Sequence, residues 1–143
     1  SFDDYCFGTC TTGQSYVADS PEDYDLRVGA GVAFNSEDGA ATAVHEVGHQ
    51  FGRYHAPCYV SSWDEDFPYE DGIIGVLGWD PRDATPLDPY ETTDFMGYCD
   101  PQGTSDYTYA ALAERSRALA NLSFAPRPSR RDAARVTCTK PGP

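Results

Sequence analysis

The three histidines of this 143-residue chain all lie within one short stretch, at His45, His49 and His55. Residues four apart share a face of an α-helix, so His45 and His49 can offer two imidazoles to one metal ion. Glu46 lies one position further round the same helix, beside such an ion. The chain must turn sharply before it can deliver a third ligand, and Gly52 can adopt the positive φ that this turn requires. We therefore predict a metal site formed by His45, His49 and His55.

Three neutral imidazoles favour zinc, and a tetrahedral site with three protein ligands leaves the fourth position open for a water molecule. Zinc lowers the pKa of such a water from about 15.7 to about 7, which provides a hydroxide-like nucleophile near neutral pH. Glu46 can act as the general base, taking the proton of the water as it attacks a carbonyl and passing it to the leaving amine. These residues predict amide hydrolysis by a zinc-bound water that Glu46 activates.

The same segment resembles the extended zinc signature H-E-x-x-H-x-x-G-x-x-H of the metzincin metallopeptidases. Every fixed position is matched, by His45, Glu46, His49, Gly52 and His55. The resemblance implies an α+β fold: a small zincin-like domain with a twisted sheet, a zinc-binding helix, a methionine-containing turn (the Met-turn), a C-terminal helix and many irregular loops. It also implies a secreted zinc endopeptidase whose partner is a peptide or protein substrate.

Metzincins carry the Met-turn beneath the metal, and the only methionine of this chain, Met96, lies in the stretch DFMGYC at residues 94–99. Tyr98 stands two residues after Met96. This is similar to the astacin, serralysin and pappalysin-like branches, where a tyrosine at this position reaches the zinc or the reaction intermediate. The resemblance implies that Met96 forms the supporting turn and that Tyr98 is an auxiliary catalytic residue, which ligates zinc or donates to the oxyanion. A buried ring with a satisfied hydroxyl is the alternative for Tyr98.

The five cysteines indicate an oxidising compartment, because none forms a C-x-x-C pair with zinc-ligand spacing. Cys58 follows His55 by three residues, and Cys99 follows Met96 by three. If the zinc motif and the Met-turn both lie against the metal, the two cysteines should be close together, so we predict a disulfide between them. It would close a loop of roughly forty residues, worth about 3–4 kcal/mol. Cys6 and Cys10 either form a local bridge or leave one of them to pair with Cys138. Because five is an odd number, at least one thiol has no partner within the chain, and Cys138 is the candidate.

Two segments ahead of the zinc motif are predicted as strands. Residues 26–34 place apolar residues at a period of two, which is typical of a strand with one buried face. The apolar set is Leu26, Val28, Ala30, Val32 and Phe34. Gly29 and Gly31 lie on the other face, where they allow another backbone to approach closely. The resemblance implies that this is the edge strand that pairs with an extended substrate, and a shorter strand is predicted around residues 14–18.

Two helices must position the predicted site. Alanines in the zinc motif's own segment predict a helix from residue 39 to residue 50 or 51, with Gly52 as its stop. A second helix is predicted over residues 106–122, with Ser105 as its N-cap and an apolar face.

Residues 56–94 form a long segment rich in Pro, Gly, Asp and aromatic residues, with one predicted strand at residues 73–79. A loop of this length inside a compact domain is usually functional, or it is tied down by a cross-link or a metal. Its acidic residues are candidates for a structural calcium site, but their spacing does not match an EF-hand, and a solvated acidic loop is the simpler interpretation. They are Asp64, Glu65, Asp66, Glu70 and Asp71.

Charge and composition exclude several classes of function. The chain has 23 acidic and 10 basic residues and a net charge of −13, so it would repel nucleic acid and anionic membrane surfaces. It has no apolar run long enough for membrane insertion. With 40% hydrophobic residues, the chain can form one folded domain. We expect a monomer that forms part of a larger multidomain chain.

The basic residues divide the chain, because seven of the ten lie from Arg115 onward. We predict a metzincin-like catalytic domain over residues 1–124 and a basic Pro/Arg-rich linker or tail over residues 125–143. Metzincins usually place a helix and several strands ahead of the zinc helix, for which the 44 residues before His45 are few. The domain is therefore either a pared-down member or one that lacks its N-terminal part.

Two alternatives to a zinc endopeptidase stay open on the sequence alone. One is a catalytically inactive zinc-binding module for adhesion or interaction in a larger secreted protein, against which the retention of Glu46 argues. The other is a zinc hydrolase that acts on something other than a peptide bond. The acidic body of the chain leads us to expect that basic peptides are drawn to the cleft.

Overall fold

The computed structural model describes residues 11–32 and 37–122 of the chain. This part forms a small mixed fold of two helices and three two-stranded sheets, consistent with the predicted α+β class. The helices are α1 (Glu37–Gln50) and α2 (Asp106–Ala120). The strands are β1 (Gly13–Ser15), β2 (Gly29–Gly31), β3 (Gly78–Asp80), β4 (Thr85–Leu87), β5 (Thr93–Asp94) and β6 (Gln102–Gly103). A short 3-10 helix covers Glu70–Gly72.

The three sheets differ in direction and in what they contact. β1 and β2 are antiparallel, with Gly13 opposite Gly31, and both strands lie on α1. β3 and β4 form an antiparallel hairpin. β5 and β6 are parallel, with Thr93 opposite Gln102, and Ile73 adds an isolated bridge to Thr93. The first sheet therefore covers the zinc-motif helix, and the third lies at the start of the segment that carries the methionine.

Helix α1 confirms the helix predicted around the histidines and begins slightly earlier, at Glu37. It ends as predicted at Gly52, which has a φ of 80°. The Gly52 N–H donates to the His49 carbonyl at 2.8 Å, and the Arg53 N–H donates to the Gly48 carbonyl at 3.0 Å. These two bonds are those of a Schellman motif, which requires the left-handed residue that glycine supplies.

The strand predicted over residues 26–34 is wrong in length and in the face that it buries. Of the described residues 26–32, the strand covers Gly29–Gly31, Val28 is 54% exposed, and Ala30 is exposed as well. The glycine side faces α1 instead, since a Cβ at Gly29 would lie 2.9 Å from the Gln50 side chain of α1, although every residue of β2 is exposed. A short ribbon that lies directly on a helix needs small residues on its inner face. The other predicted strand, around residues 14–18, is present slightly earlier as β1.

The strand predicted over residues 73–79 is also wrong, because the chain turns within it. Ile74 is fully buried, but Gly75 has a φ of 68° and interrupts the extended backbone. A Cβ at Gly75 would lie 2.3 Å from the ring of Tyr69, so this close approach requires a glycine. Regular pairing begins only at β3.

Helix α2 confirms the second predicted helix and ends at Ala120. Its N-cap is Ser105, whose buried Oγ accepts a hydrogen bond from the Thr108 N–H at 3.1 Å. Further along the helix, Arg115 donates to the Asp19 carbonyl. Helix α2 is therefore fixed both to the β5–β6 side of the fold and to the segment after β1.

The described core is small and unusually polar. Its buried hydrophobic side chains are Ala18, Ala56, Ile74 and Met96. The buried polar side chains are His45, His49, Thr92, Thr93, Asp94, Ser105 and Thr108. Hydrogen bonds among these polar groups must therefore hold much of the interior together.

Several predictions concern residues outside the described part. These are the pairing of Cys6, Cys10 and Cys138, the end of the predicted strand at Phe34, and the basic segment over residues 125–143. Neither helix in the described part has the length and apolar character that a membrane span requires.

Candidate metal site

The three predicted ligands come together at one point. The ligand atoms of His45, His49 and His55 lie within 4.8 Å of one another. The ring centroids are 4.8 Å apart for two of the pairs and 5.1 Å apart for His45 and His55. Among the described residues, this is the one group of three or more His, Cys, Asp or Glu side chains that could hold a metal ion.

Each imidazole is oriented by a hydrogen bond from its Nδ1 to a backbone carbonyl. The acceptors are Phe95 for His45 (2.9 Å), Arg53 for His49 (2.7 Å) and Ser62 for His55 (3.2 Å). A carbonyl oxygen can only accept, so Nδ1 carries the proton and Nε2 presents its lone pair. The Nε2 atom of His45 is buried and has no hydrogen-bond partner, which is what a metal-binding nitrogen requires.

Burial keeps these imidazoles neutral. Loss of hydration lowers the pKa of His45 to about 4, and it also lowers the pKa of His49 and of His55. Repulsion between the charges that the rings would carry acts in the same direction. Because a histidine binds metal only when unprotonated, the set can accept an ion near neutral pH.

Met96 lies against α1, the helix that carries His45 and His49. Its side chain is 1% exposed, and a Cβ at Gly48 would lie 2.3 Å from its Sδ. Gly48 stands between His45 and His49 in the motif, so a glycine there admits the methionine. The carbonyl that holds His45 belongs to Phe95, the residue before Met96. The turn that carries Met96 therefore both supports the helix and orients one ligand.

Asp94, which the sequence did not single out, fixes this turn from within. Its side chain is fully buried; Oδ1 accepts the Met96 N–H at 2.9 Å, and Oδ2 accepts both the N–H and the hydroxyl of Ser105. One carboxylate thus joins the Met96 turn to the start of α2. Its sequence signal is no more than an acidic residue ahead of the turn, since its partner Ser105 is distant in sequence.

Glu46 follows the first ligand on α1 and is covered by β1. A Cβ at Gly13 would lie 2.5 Å from Glu46 Oε1, so β1 needs a glycine at this point. Burial raises the pKa of Glu46, and its Oε2 has no hydrogen-bond partner. A partly dehydrated carboxylate with an uncommitted oxygen is suited to accept a proton.

The hydroxyl of Tyr98 lies 3.2 Å from His55 Nε2, and its ring centroid is 5.3 Å from those of His45 and His55. Tyr98 is 57% exposed, so it is not the buried core ring of the alternative interpretation. Partial burial, together with the negative charge of Glu46, raises the pKa of Tyr98. The hydroxyl therefore stays protonated at neutral pH and lies at the mouth of the site.

The predicted disulfide between Cys58 and Cys99 is confirmed, with 5.8 Å between the Cα atoms. It joins the loop after the third histidine to the turn after Met96. Two backbone hydrogen bonds run beside it, from the Ala56 N–H to the Met96 carbonyl (3.1 Å) and from the Tyr98 N–H to the Cys58 carbonyl (2.9 Å). This cross-link holds an otherwise irregular segment against the site.

Arg53, Asp64 and Tyr107 form what we call the arginine brace, which the sequence did not predict. One Asp64 oxygen accepts from the Arg53 guanidinium at 3.1 Å and from the Tyr107 hydroxyl at 3.0 Å, and Arg53 lies 4.7 Å from the centre of the Tyr107 ring. The Arg53 and Asp64 side chains are only 11% and 14% exposed. The Asp64 N–H donates to the His55 carbonyl at 2.9 Å, so the brace fixes the loop that carries the third ligand.

The acidic residues considered for calcium do not form a three-carboxylate site in the described part. Asp64 is paired with Arg53. Glu65, Asp66, Glu70 and Asp71 are exposed. This segment therefore has the character of a solvated acidic loop with one structural carboxylate.

Comparison with known proteins finds no match, whether with protein-family models, with curated proteins or with solved structures. The fold and the site themselves define the class: a small domain of helices and short sheets, with one disulfide among its described residues and a three-histidine cluster able to hold a metal ion.

Proposed function

We propose that this chain is a zinc-dependent endopeptidase of the metzincin type. The observation that carries the proposal is the convergence of three histidine ligand atoms, with a dehydrated glutamate next to the first of them on the same helix. The Met96 turn beneath that helix and Tyr98 beside the third histidine are further support.

The donor set fits zinc better than the harder cations. Three neutral imidazoles suit zinc, whereas calcium and magnesium prefer oxygen ligands, and three protein ligands leave room for substrate. When bound, zinc polarises the carbonyl of a peptide bond and acidifies a water molecule. The proton-bearing Nδ1 atoms keep His45, His49 and His55 aimed with their lone pairs inward.

Glu46 is the proposed general base. Its Oε2 has no hydrogen-bond partner and accepts the proton of the water that attacks the scissile carbonyl. The raised pKa makes the carboxylate a better base, and Glu46 then delivers the proton to the departing amine. Gly13 allows the strand above to approach without displacing this carboxylate.

Tyr98 is the proposed auxiliary residue. Its protonated hydroxyl donates a hydrogen bond to the substrate oxygen as negative charge develops there. The exposure of the side chain leaves it accessible to a polypeptide in the cleft, and its ring centroid lies 5.3 Å from those of His45 and His55, beside the proposed ligands.

An extended polypeptide can be held by β2, which precedes the metal-binding helix. All three residues of β2 are exposed, and among the described strands β2 pairs with β1 alone. Main-chain pairing with the remaining edge would align a substrate without regard to its side chains. The disulfide supports our proposal that the protein acts in an oxidising, extracellular compartment.

The test is to measure zinc content and the cleavage of a mixed peptide library for three proteins: native, Glu46→Gln and Glu114→Gln. Glu114 is an exposed glutamate on α2 and is the matched control. We expect one zinc per chain in all three, cleavage by the native protein and the Glu114→Gln variant, and a loss of at least a hundredfold for Glu46→Gln.

Two results would overturn the proposal. A native protein that holds zinc and cleaves no member of the library would be a binding module. A Glu46→Gln variant that cleaves as fast as the native protein would remove Glu46 from the mechanism.

A further inference from the structure

A groove of about 490 Å³ opens next to the metal-binding loop, and four of its nine lining residues are aromatic. Its principal side chains are Tyr59, Trp63, Phe67, Tyr69, Glu70 and Asp71. The groove is close to the candidate site in the chain, because it begins just after the third histidine, and the residue before Trp63 supplies the carbonyl that orients that histidine.

The groove displays aromatic surface that the fold itself does not use. Tyr59 is 90% exposed and Trp63 is 51% exposed. Tyr59 has a left-handed backbone, with a φ of 53°, which is costly for a bulky side chain. Exposed aromatic clusters of this kind mark interaction sites. The conformational cost of keeping the Tyr59 side chain exposed in this way indicates that the groove has a binding role.

The floor of the groove is preformed. The Phe67 ring packs edge-on against Tyr69 and Tyr107, with centroid distances of 6.0 and 5.5 Å. The Tyr69 hydroxyl donates to Asp106 at 2.7 Å, and the ring fills the space that a side chain at Gly75 would need. A rigid aromatic floor lowers the entropic cost of binding.

The charge of the groove selects the partner. Glu70 and Asp71 are exposed along its rim, and none of its lining residues is basic. The nearby cation Arg53 is already paired with Asp64. The guanidinium of an arginine side chain can stack on an aromatic ring while its N–H groups donate hydrogen bonds to a carboxylate. Arginine can therefore use the aromatic and the acidic residues of the groove at the same time.

We propose that this groove binds an arginine-bearing stretch of polypeptide, and that the substrates of the enzyme are cationic polypeptides anchored there. The binding of arginine rests on the groove alone. The identification of the bound polypeptide as substrate rests on the function proposed above.

The test of binding uses the zinc-loaded Glu46→Gln protein, which should bind a peptide without cleaving it. The probes are two fluorescein-labelled peptides, GRPRGRPG and the same peptide with citrulline, a neutral isostere, in place of each arginine. Fluorescence anisotropy at low salt gives the dissociation constants. We expect the arginine peptide to bind at least tenfold more tightly, and this preference to shrink as salt is added.

Variants locate the binding site, and each is made in the Glu46→Gln protein. Trp63→Ala and the pair Glu70→Gln with Asp71→Asn should each weaken binding of the arginine peptide by about fivefold. Trp79→Ala and Glu114→Gln are matched controls outside the groove, and they should leave binding unchanged. Equal affinity for the two peptides, or losses in the control variants as large as those in the groove variants, would overturn the proposal.

A comparison of cleavage separates this proposal from the function on which it rests. If the native protein cleaves both peptides with the same KM, the protein is an endopeptidase as proposed, but the groove does not anchor its substrate. If the arginine peptide binds with the expected variant pattern and no peptide is cleaved, the groove is an arginine site and the endopeptidase proposal fails.

Discussion

The metal-site region and the β3–β4 hairpin are held together in very different ways. Beside the histidines, Met96, Asp94 and Ser105 are at most 1% exposed, and backbone carbonyls orient every imidazole. In the hairpin, residues 81–86 are all exposed, and Trp79 is 60% exposed. The same small domain therefore contains one tightly specified region and one that has little buried surface.

The difference shows where the free energy of folding is concentrated. Few apolar side chains of the described part are buried, so hydrophobic burial alone gives little stability in a chain of this size. The disulfide and the buried hydrogen bonds compensate, the proposed metal would add to them, and all of them lie in the metal-site region. Substitutions in the metal-site region should lower the free energy of unfolding strongly, and equivalent substitutions in the hairpin should change it little.

Removal of the metal should have the largest effect. An ion that binds only the folded state at a thousand times its dissociation constant stabilises it by about 4 kcal/mol. We therefore expect a chelator to lower the Tm of the zinc-loaded protein by roughly 10–20 °C, measured by scanning calorimetry. A His49→Ala variant is the control and should show no response to the chelator. An unchanged Tm in the native protein would mean that the histidines do not couple metal to folding.

Loss of the disulfide should come next. Replacing Cys58 and Cys99 together with serine should lower the free energy of unfolding by about 3–4 kcal/mol, because the unfolded chain regains the freedom of a long loop. Urea denaturation under metal-free conditions measures this directly. Trp79→Ala in the hairpin is the comparison and should cost less than about 1 kcal/mol. Equal effects for the two changes would remove the contrast between the regions.

Asp94→Ala should lower the free energy of unfolding by about 3 kcal/mol, because it leaves the buried Met96 and Ser105 donors without an acceptor. Asp80 accepts the Arg82 N–H in the hairpin at 2.8 Å, but this bond is exposed. Asp80→Ala should therefore change stability by about 0.5 kcal/mol or less. Denaturant titration of both variants compares two carboxylates with similar bonds and different burial. A cost for Asp80→Ala as large as that for Asp94→Ala would contradict the account.

Arg53→Met should cost about 2 kcal/mol and weaken zinc binding about tenfold, because it releases the loop that carries His55. The zinc affinity, measured by competition with a chelating dye, distinguishes loss of ligand positioning from a general loss of stability. Arg82→Met removes an ion pair whose arginine is 67% exposed, so it should change neither quantity measurably. An unaltered zinc affinity in Arg53→Met would show that the brace is purely structural.

Acidification should have a gradual effect on the metal-free protein. Burial lowers the pKa of His45 to about 4, whereas an unfolded histidine has a pKa near 6.5. Between these values the unfolded chain binds more protons, so stability should fall as the pH falls from 6.5 towards 4, by about 1 kcal/mol per pH unit. Urea titrations of the native protein and of His45→Asn, between pH 5 and 7, measure this slope. An equal slope in His45→Asn would assign it to other groups.

The sequence predicted the three-histidine cluster because helical spacing and one glycine determine its geometry locally. His45 and His49 need only share a helix face, and Gly52 need only turn the chain. The α2 helix was predictable for the same reason, since Ser105 and the alanine-rich run that follows are local signals. The Cys58–Cys99 pairing followed once both neighbouring segments were placed at the metal.

The parts that the sequence could not predict depend on distant partners. The alternation in residues 26–34 indicates a two-faced strand, but it does not say which face lies towards a helix, and here the side of Gly29 faces α1. The turn at Gly75 is set by contact with Tyr69. Asp94 and Arg53 look like ordinary surface residues in the sequence, and their burial follows from packing against α2.

We propose that three histidines hold one zinc ion through their Nε2 atoms. Diffraction from crystals of the zinc-loaded protein at the zinc absorption edge can locate this ion. We predict one anomalous peak, about 2.0–2.1 Å from Nε2 of His45, His49 and His55. A peak at the acidic residues 64–71, coordination through Nδ1, or no peak at the histidines would contradict the account.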